Sequence, residues 1–205
     1  MPEPRTIQEP VQVVVEGKAM EYFFDALSSN MGVTEIQIQN FGGTSELSSF
    51  LKALRRTPGF EKQVTSLGII RDAEDNPSSA FRSVQHALRS AKFTVPAHPE
   101  IPEGISPRVT ILILPNATQP GMLETLCLQS VTRDPAMRCV DEYFECIERA
   151  NGSLPNNMDK AKVQAFLASR DRPGLLVGQA AAAGYWPWTS DAFSHVRRFI
   201  QNLEP

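Results

Sequence analysis

The stretch VQVVVEGK, residues 11–18, constrains the fold more than any other part of the sequence. Its four valines predict a buried β-strand, because β-branched side chains pack well on a pleated surface covered on both faces. Glu16 and Gly17 follow, and from Lys18 apolar residues recur at helical spacing. The pattern predicts strand, tight turn and helix. Ligands of open parallel sheets bind at the carboxyl ends of the strands, so Glu16 is the first candidate functional residue.

Three further segments repeat this order of strand and helix. The predicted strands are TEIQIQN at 34–40, VTSLGII at 64–70 and VTILILP at 109–115. In the first of these, Ile36 and Ile38 alternate with polar residues, which predicts one less-buried face. Strands that alternate with helices indicate an α/β fold, here a four-stranded parallel sheet sandwiched by helices. Right-handed crossovers then place the carboxyl ends of all four strands on one edge.

The chain divides by composition into three parts. Residues 1–10 contain three prolines and predict an extended leader, and residues 11–120 form the predicted α/β domain. Residues 121–205 are expected to be a helical C-terminal extension packed on the same core. The expected helical segments of that extension are 122–131, 135–150, 157–170 and 190–203.

The composition narrows the function classes. With 205 residues, 41% hydrophobic and 21% charged, the chain is typical of a globular protein with one substantial core. It has no apolar run of membrane-spanning length and no signal-peptide pattern at its start, so we expect a cytoplasmic protein without a membrane partner. Three cysteines without a CxxC pair argue against a disulfide framework and a structural zinc site. The formal net charge of −3 means that nucleic-acid binding needs a local basic patch or bridging metal ions.

Carboxylates follow the first, third and fourth predicted strands. They are Glu16, then Asp72, Glu74 and Asp75, and finally Glu124. Carboxylates brought together repel one another unless protons or cations neutralise them. Mg²⁺ or Mn²⁺ fits such a group, because both ions take oxygen ligands. A bound ion of this kind can polarise a phosphodiester and activate water.

Ordinary structural roles are the alternatives for these acids and for the basic side chains. The acids before Asn76-Pro77 can cap the next helix, and Glu124 can be an ordinary first-turn acid. Arg82, Arg89 and Lys160 are candidate nucleic-acid contacts, although exposed surface charge is the better interpretation of each.

Two further motifs also have a structural and a functional interpretation. The sequence Gly42-Gly43-Thr44 can bind a phosphate or simply turn the chain. The sequence Trp186-Pro187-Trp188 can stack on bases, although packing on the sheet domain is the better interpretation.

A strand followed by Glu-Gly, and a later strand followed by Asp-x-Glu, resembles the Toprim (topoisomerase–primase) domain. That domain occurs in topoisomerases, bacterial primases, ribosomal-RNA maturation nucleases and overcoming-lysogenization-defect nucleases. The resemblance covers about residues 11–115. It implies acid–base chemistry or metal binding for Glu16 and Mg²⁺ ligation by Asp72 and Glu74.

The whole chain more closely resembles a family of small stand-alone Toprim-like proteins of unknown function. The motifs that carry this likeness are VVVEGK, QNFGGTSEL, LGIIRDAED, LPNATQPGMLETLCL, NMDKAKVQAFLAS and GYWPW. Asp-x-Glu replaces the commoner Asp-x-Asp, so Glu74 and Asp75 both remain candidates for the second ligand. In Lys18-Ala19, an alanine also stands where relatives often carry an acid.

The Toprim resemblance implies a Mg²⁺-dependent nuclease or phosphotransfer-type protein that acts on nucleic acid. One alternative is a non-catalytic module with this fold that works through a protein partner. The other is a metal-dependent hydrolase of small nucleotides.

Overall fold

The structure is a computed structural model that describes residues 2–203. Its strands are β1 Val11–Val15, β2 Ile36–Asn40, β3 Ser66–Asp72 and β4 Arg108–Leu114. Within the described residues they form one parallel sheet of order β2-β1-β3-β4. The predicted four-stranded parallel sheet is therefore confirmed. Met1 of the predicted leader and the last two residues of the predicted extension lie outside the described residues.

Helices cover both faces of this sheet. They are α1 Gly17–Met31, α2 Leu47–Arg56, α3 Phe60–Gln63, α4 Pro77–Ser90, α5 Leu123–Ser130, α6 Pro135–Asn151, α7 Met158–Ala168, α8 Val177–Ala182 and α9 Ser194–Leu203. One apolar cluster joins α2, α3 and α4 to one face of the sheet, and a second cluster joins α1 and α5–α9 to the other. No helix in residues 2–203 combines the length and apolar character needed to cross a membrane.

The valines of β1 contribute side chains to both of these apolar clusters. Val13 and Val15 belong to the cluster with α1, whereas Val14 belongs to the cluster with α2 and α4. All three have 0% of their surface exposed, as expected for a strand covered on both faces. Burying each side chain contributes about 1.5–3 kcal/mol, so this short strand is a major source of stability.

The polar face of β2 is buried, and the prediction that it is less buried is wrong. Gln37 is 8% exposed and Gln39 is 2% exposed. The segment before β1 lies over this face: Gln37 Nε2 donates to the Thr6 carbonyl at 3.0 Å, and the Arg5 N–H donates to Gln39 Oε1 at 2.7 Å. Gln12 of β1 bonds to both glutamines. Alternation shows that a strand has a polar face, but it does not show whether water or chain covers that face.

Helix α8 lies between the predicted helical segments, which stop at 170 and resume at 190. Its sequence VGQAAA has mostly small side chains and therefore no clear apolar stripe. The helix packs on α1 so closely that a Cβ at Gly178 would lie 2.2 Å from the Ala19 carbonyl oxygen. Beyond α8, Trp186 is buried and its Nε1 donates to the Val177 carbonyl at 2.9 Å. The preferred interpretation of the Trp-Pro-Trp turn as a packing element is confirmed.

Candidate functional site

The register of the two central strands brings Glu16 and Asp72 to the same edge of the sheet. β1 and β3 are parallel neighbours, with Val15 opposite Ile70. Glu16 follows β1 directly, and Asp72 is the last residue of β3. Gly17 has a φ of +72°, a left-handed conformation that lets α1 begin immediately after Glu16. Both carboxylates therefore lie at the carboxyl edge, at the centre of the sheet.

The loop after β3 is tied to the loop after β4 by two backbone hydrogen bonds. The Glu74 N–H donates to the Gly121 carbonyl at 2.9 Å, and the Gly121 N–H donates to the Glu74 carbonyl at 2.8 Å. Glu74 has a φ of +51°, which is uncommon for a residue with a side chain. A Cβ at Gly121 would lie 2.5 Å from Thr125 Oγ1, so only glycine fits there. Such an over-determined, unusual backbone conformation is typical of functional sites.

The carboxylate of Asp72 is fixed by the start of α5. Its Oδ1 accepts a hydrogen bond from the N–H of Leu123, the first residue of that helix, at 2.9 Å. The partial positive charge of the helix start favours a carboxylate in this position. Asn76, and not one of the acids before it, caps α4 by accepting from the Ser79 N–H at 2.9 Å. The alternative that these acids serve as caps of α4 is therefore wrong.

Asp72 lies at the centre of the negative charge. Burial raises the pKa of the Asp72 carboxyl well above its ordinary value, and the carboxylates of Glu124, Glu16 and Glu74 raise it further. The hydrogen bond from the Leu123 N–H opposes this by lowering the pKa. Because each of these carboxylates disfavours ionisation of Asp72, the site would gain from a cation that neutralises them together.

Glu16 is half-buried beside a cation that does not satisfy it. Burial raises the pKa of the Glu16 carboxyl, and the nearby guanidinium of Arg71 lowers it. Arg71 Nε lies 3.7 Å from Glu16 Oε2, which is an ion pair but too long for a hydrogen bond. Within residues 2–203, Glu16 Oε2 and the Nε and Nη1 atoms of Arg71 are buried and have no hydrogen-bond partner. The edge thus holds one acceptor and two donors that the described part of the chain leaves unpaired.

The start of α7 completes the site from the C-terminal half of the chain. Burial raises the pKa of the Glu124 carboxyl, Asp159 raises it further, and Lys160 lowers it. Lys160 also lowers the pKa of Glu16, so its ammonium lies within electrostatic reach of both glutamates. The Thr125 hydroxyl donates to Asp159 Oδ2 and thereby joins α5 to α7. Lys160 is the one predicted nucleic-acid contact that the structure places beside the carboxylates.

The other predicted residues lie outside this group. Asp75 is exposed and contributes to none of the pKa shifts described above. Arg82 is an exposed residue of α4 whose Nη2 donates to Ser79 Oγ at 3.0 Å. Arg89 lies in the last turn of α4. It is roughly 10 Å beyond Arg82 along the helix axis, and so further from the carboxyl edge. Of the two candidates for the second ligand after β3, the structure brings only Glu74 to the carboxylates.

Sequence reasoning missed Arg71 and Asp159. Arg71 directly precedes Asp72 in the motif LGIIRDAED, and a cation at the end of a buried strand was a usable signal. Asp159 precedes Lys160 in NMDKAK and carried no signal of its own, because its place beside Glu124 depends on how α7 packs on α5.

The donor set fits a hard divalent cation held by few protein ligands. Within residues 2–203 no three His, Cys, Asp or Glu side chains are grouped as a metal cage. Mg²⁺ does not require a cage, since it keeps several waters and commonly uses one or two carboxylates beside substrate phosphates. Cys127 is not a suitable ligand, because burial and the charges of Glu124 and Asp72 raise its pKa well above the usual value for a thiol. The carboxylates at this edge, Glu16 and Asp72 among them, have the oxygen chemistry that Mg²⁺ or Mn²⁺ requires.

Comparison with known proteins identifies the family. The family described as "Protein of unknown function (DUF3226)" matches residues 10–205. The chain belongs to this family. Its description agrees with the predicted membership of a family of unknown function, while the Toprim relationship stays a prediction about the fold. No curated protein matches the chain.

Two solved structures are similar to the chain at low identity. Both are of the C-terminal region of the OLD protein of Xanthomonas campestris pv. campestris. The structure phased with platinum is 16% identical, with a TM-score of 0.48, over 95% of this chain and 92% of that chain. The structure phased with mercury is 12% identical, with a TM-score of 0.39, over 96% and 87%. Neither similarity assigns an activity to this chain.

Proposed function

We propose that the protein is a Mg²⁺- or Mn²⁺-dependent nuclease or phosphotransfer-type protein that acts on nucleic acid at the carboxyl edge of the sheet. The observation that carries the proposal is the environment of Asp72. One of its oxygens is fixed by the Leu123 N–H, and three further carboxylates raise its pKa. Folding such mutually repelling groups together is unfavourable unless a cation joins them.

Each residue has a distinct role in this proposal. Glu16 and Asp72 hold the cation, which when bound polarises a phosphodiester and acidifies a water molecule. Glu74 lies beside them as a further ligand, and Glu124 is a lesser candidate. Burial raises the pKa of the Glu16 carboxyl, which favours uptake of a proton by this side chain during the reaction. Among residues 2–203, no donor forms a hydrogen bond with Glu16 Oε2.

Two cations at this edge suit a phosphate. In the described part of the chain the Nε and Nη1 donors of Arg71 have no hydrogen-bond partner, and Nε lies 3.7 Å from Glu16 Oε2. Lys160, near the start of α7, lies close enough to Glu16 and Glu124 to lower the pKa of both carboxyls. A guanidinium presents a rigid fork of donors and an ammonium presents a point charge, and both bind phosphate oxygens. Arg71 and Lys160 therefore orient the phosphate against the carboxylates.

The net charge of −3 favours two alternative functions. An acidic surface disfavours the binding of long polyanions. A small nucleotide, by contrast, needs only the cations of the site itself, which suits a hydrolase of small nucleotides. A non-catalytic module that works through a protein partner needs no phosphate at all. These alternatives differ from the proposal in the product: cleaved polynucleotide, cleaved nucleotide or neither.

The test is cleavage of plasmid DNA, single-stranded DNA and RNA with Mg²⁺ or Mn²⁺. We expect Glu16→Gln and Asp72→Asn to abolish cleavage, because each removes a charge that holds the cation while it keeps the shape of the side chain. Asp75→Asn is the matched control, since it removes a neighbouring exposed charge and should cleave as wild type does.

Wild-type protein that is inert on every polynucleotide contradicts the proposal. In that case cleaved mononucleotides or dinucleotides support the small-substrate alternative, and no product from any substrate supports the partner module. Variants that cut as well as wild type identify the activity as a contaminant.

A further inference from the structure

A basic groove lies at the opposite edge of the sheet from the carboxylates. Helices α2 and α4 begin after strand ends at the carboxyl edge, so their last turns meet at the amino edge. There the chain forms a cavity of about 740 Å³ between Arg56 at the end of α2 and Ser90 at the end of α4. We call this cavity the amino-edge groove. Its basic lining residues are Lys52, Arg55, Arg56, Lys62 and Lys92. Among the described residues that line it, Glu61 is the one acid.

Helix capping explains one of these five cations. Arg55 Nη1 donates to the carbonyl oxygens of Ala91 at 3.2 Å and Lys92 at 2.5 Å, and so satisfies the end of α4. Its guanidinium also lies over the ring of Phe93, with 5.7 Å between its carbon and the ring centroid. Arg55 is thus a structural residue that fixes the wall of the groove.

The other four cations have no such partner. The side chains of Lys52, Arg56, Lys62 and Lys92 are exposed, and within residues 2–203 none of them forms an ion pair. They come from α2, α3 and the turn after α4, and they face one concavity. In a chain of net charge −3, four unpaired cations in one groove are a local reversal of the overall charge. Such a patch attracts an anion.

Helix α4 connects this groove with the carboxylate edge. Arg82, His86 and Arg89 are exposed at spacings of four and three residues, which places them on one face of the helix. The helix starts five residues after Asp72 in the sequence and ends at Ser90, which lines the groove. The row therefore runs along the helix that links the two edges of the sheet.

We propose that the amino-edge groove binds the phosphates of a nucleic-acid strand, as an anchor separate from the carboxylate site. Single cations on long stems, spread over three elements and continued along α4, suit a series of phosphates better than one compact phosphate group. This inference rests on the proposed function only in taking nucleic acid as the ligand. It does not require that the protein cleaves it.

The test measures binding without metal, so that the carboxylate site is not involved. Fluorescence anisotropy follows short labelled single-stranded DNA and RNA in EDTA over a range of salt concentrations. The groove variant is Lys52→Gln, Arg56→Gln and Lys62→Gln together, which leaves the structural Arg55 intact. The control variant is Arg133→Gln, Arg138→Gln and Arg149→Gln, which removes the same charge from exposed positions on and just before α6.

We expect the groove variant to bind at least tenfold more weakly than wild type, and the control variant to bind as wild type does. The slope of log affinity against log salt should fall by about 2, because each phosphate contact on a single strand contributes roughly 0.7. Melting temperatures of the two variants near that of wild type verify that both are folded.

Equal binding by the groove and control variants overturns the proposal, as does an absence of binding by wild type. The proposal is also overturned if inorganic tripolyphosphate displaces the oligonucleotide completely and binds with the same affinity. The groove is then a site for small polyphosphates. Normal binding with no cleavage contradicts only the proposed nuclease. If the protein cleaves nucleic acid but the groove variant binds it as tightly as wild type does, only the proposed anchor is contradicted.

Discussion

At the scale of single residues, Asp72 lies at the centre of the proposed site. Its Oδ1 holds the start of α5, while its pKa is raised by burial and by the carboxylates around it. An asparagine at this position keeps the hydrogen bond from Leu123, because its side-chain oxygen is still an acceptor. It removes only the charge, so the substitution separates electrostatics from shape.

The first prediction concerns Asp72→Asn without metal. A raised pKa means that the folded state binds the proton of Asp72 more tightly than the unfolded state does. The favourable contribution is complete below the unfolded pKa of about 3.9 and is lost as pH rises through the raised folded pKa. We therefore expect Asp72→Asn to melt at a higher temperature than wild type at neutral pH. The difference should shrink as the pH falls and disappear at about pH 3, below the unfolded pKa, where Asp72 is protonated in both states.

Thermal unfolding in EDTA across this pH range measures the effect. Asp75→Asn is the control, because that carboxylate is exposed and outside the group, and it should follow the wild-type curve. Asp72→Asn that melts below wild type at every pH would show that the charge of Asp72 stabilises the fold, which contradicts the account.

At the scale of elements, close packing lets short segments of unremarkable sequence position the site. Helix α8 contacts the Ala19 carbonyl through Gly178. Ala19 lies in the first turn of α1, the helix that begins directly after Glu16. The segment before β1 fixes the other side of the sheet through Gln37 and Gln39. Neither contact is visible in a local pattern, since one depends on the absence of a side chain and the other on distant backbone.

The second prediction tests the contact between α8 and α1. Gly178→Ala puts a methyl group 2.2 Å from a carbonyl oxygen, so one of the helices must move. We expect a loss of about 1–3 kcal/mol in the free energy of unfolding, as for other overpacked sites. Gly43→Ala is the matched control: a Cβ there meets nothing within 4 Å, and Gly43 has a φ of −91° that alanine adopts readily.

Urea unfolding of the two variants gives both free energies. A Gly178→Ala protein as stable as the Gly43→Ala protein would mean that α8 does not approach α1 this closely. The contact would then have no part in holding the helix that begins after Glu16.

At the scale of the whole molecule, strand ends were predictable and long-range contacts were not. The valines before Glu16 and the apolar run before Asp72 identify buried parallel strands, and parallel strands bring their carboxyl ends to one edge. Lys160 reaches the same edge because α7 packs on α5, and that packing depends on many weak contacts across the fold. The ion pair between Arg71 and Glu16 likewise needs the register of β1 and β3. Local patterns thus identified the principal acids, while tertiary packing supplied their partners.

The central claim is that Glu16 and Asp72 share one divalent cation, and titration of Mn²⁺ into the metal-free protein by calorimetry tests it most directly. Wild type and the control Asp75→Asn should bind Mn²⁺ equally. Glu16→Gln and Asp72→Asn should each bind at least tenfold more weakly, which is about 1.4 kcal/mol. Bound metal should also stabilise wild type by about 2.7 kcal/mol at one hundred times the dissociation constant. Mn²⁺ binding by both Glu16→Gln and Asp72→Asn with wild-type affinity would contradict the account.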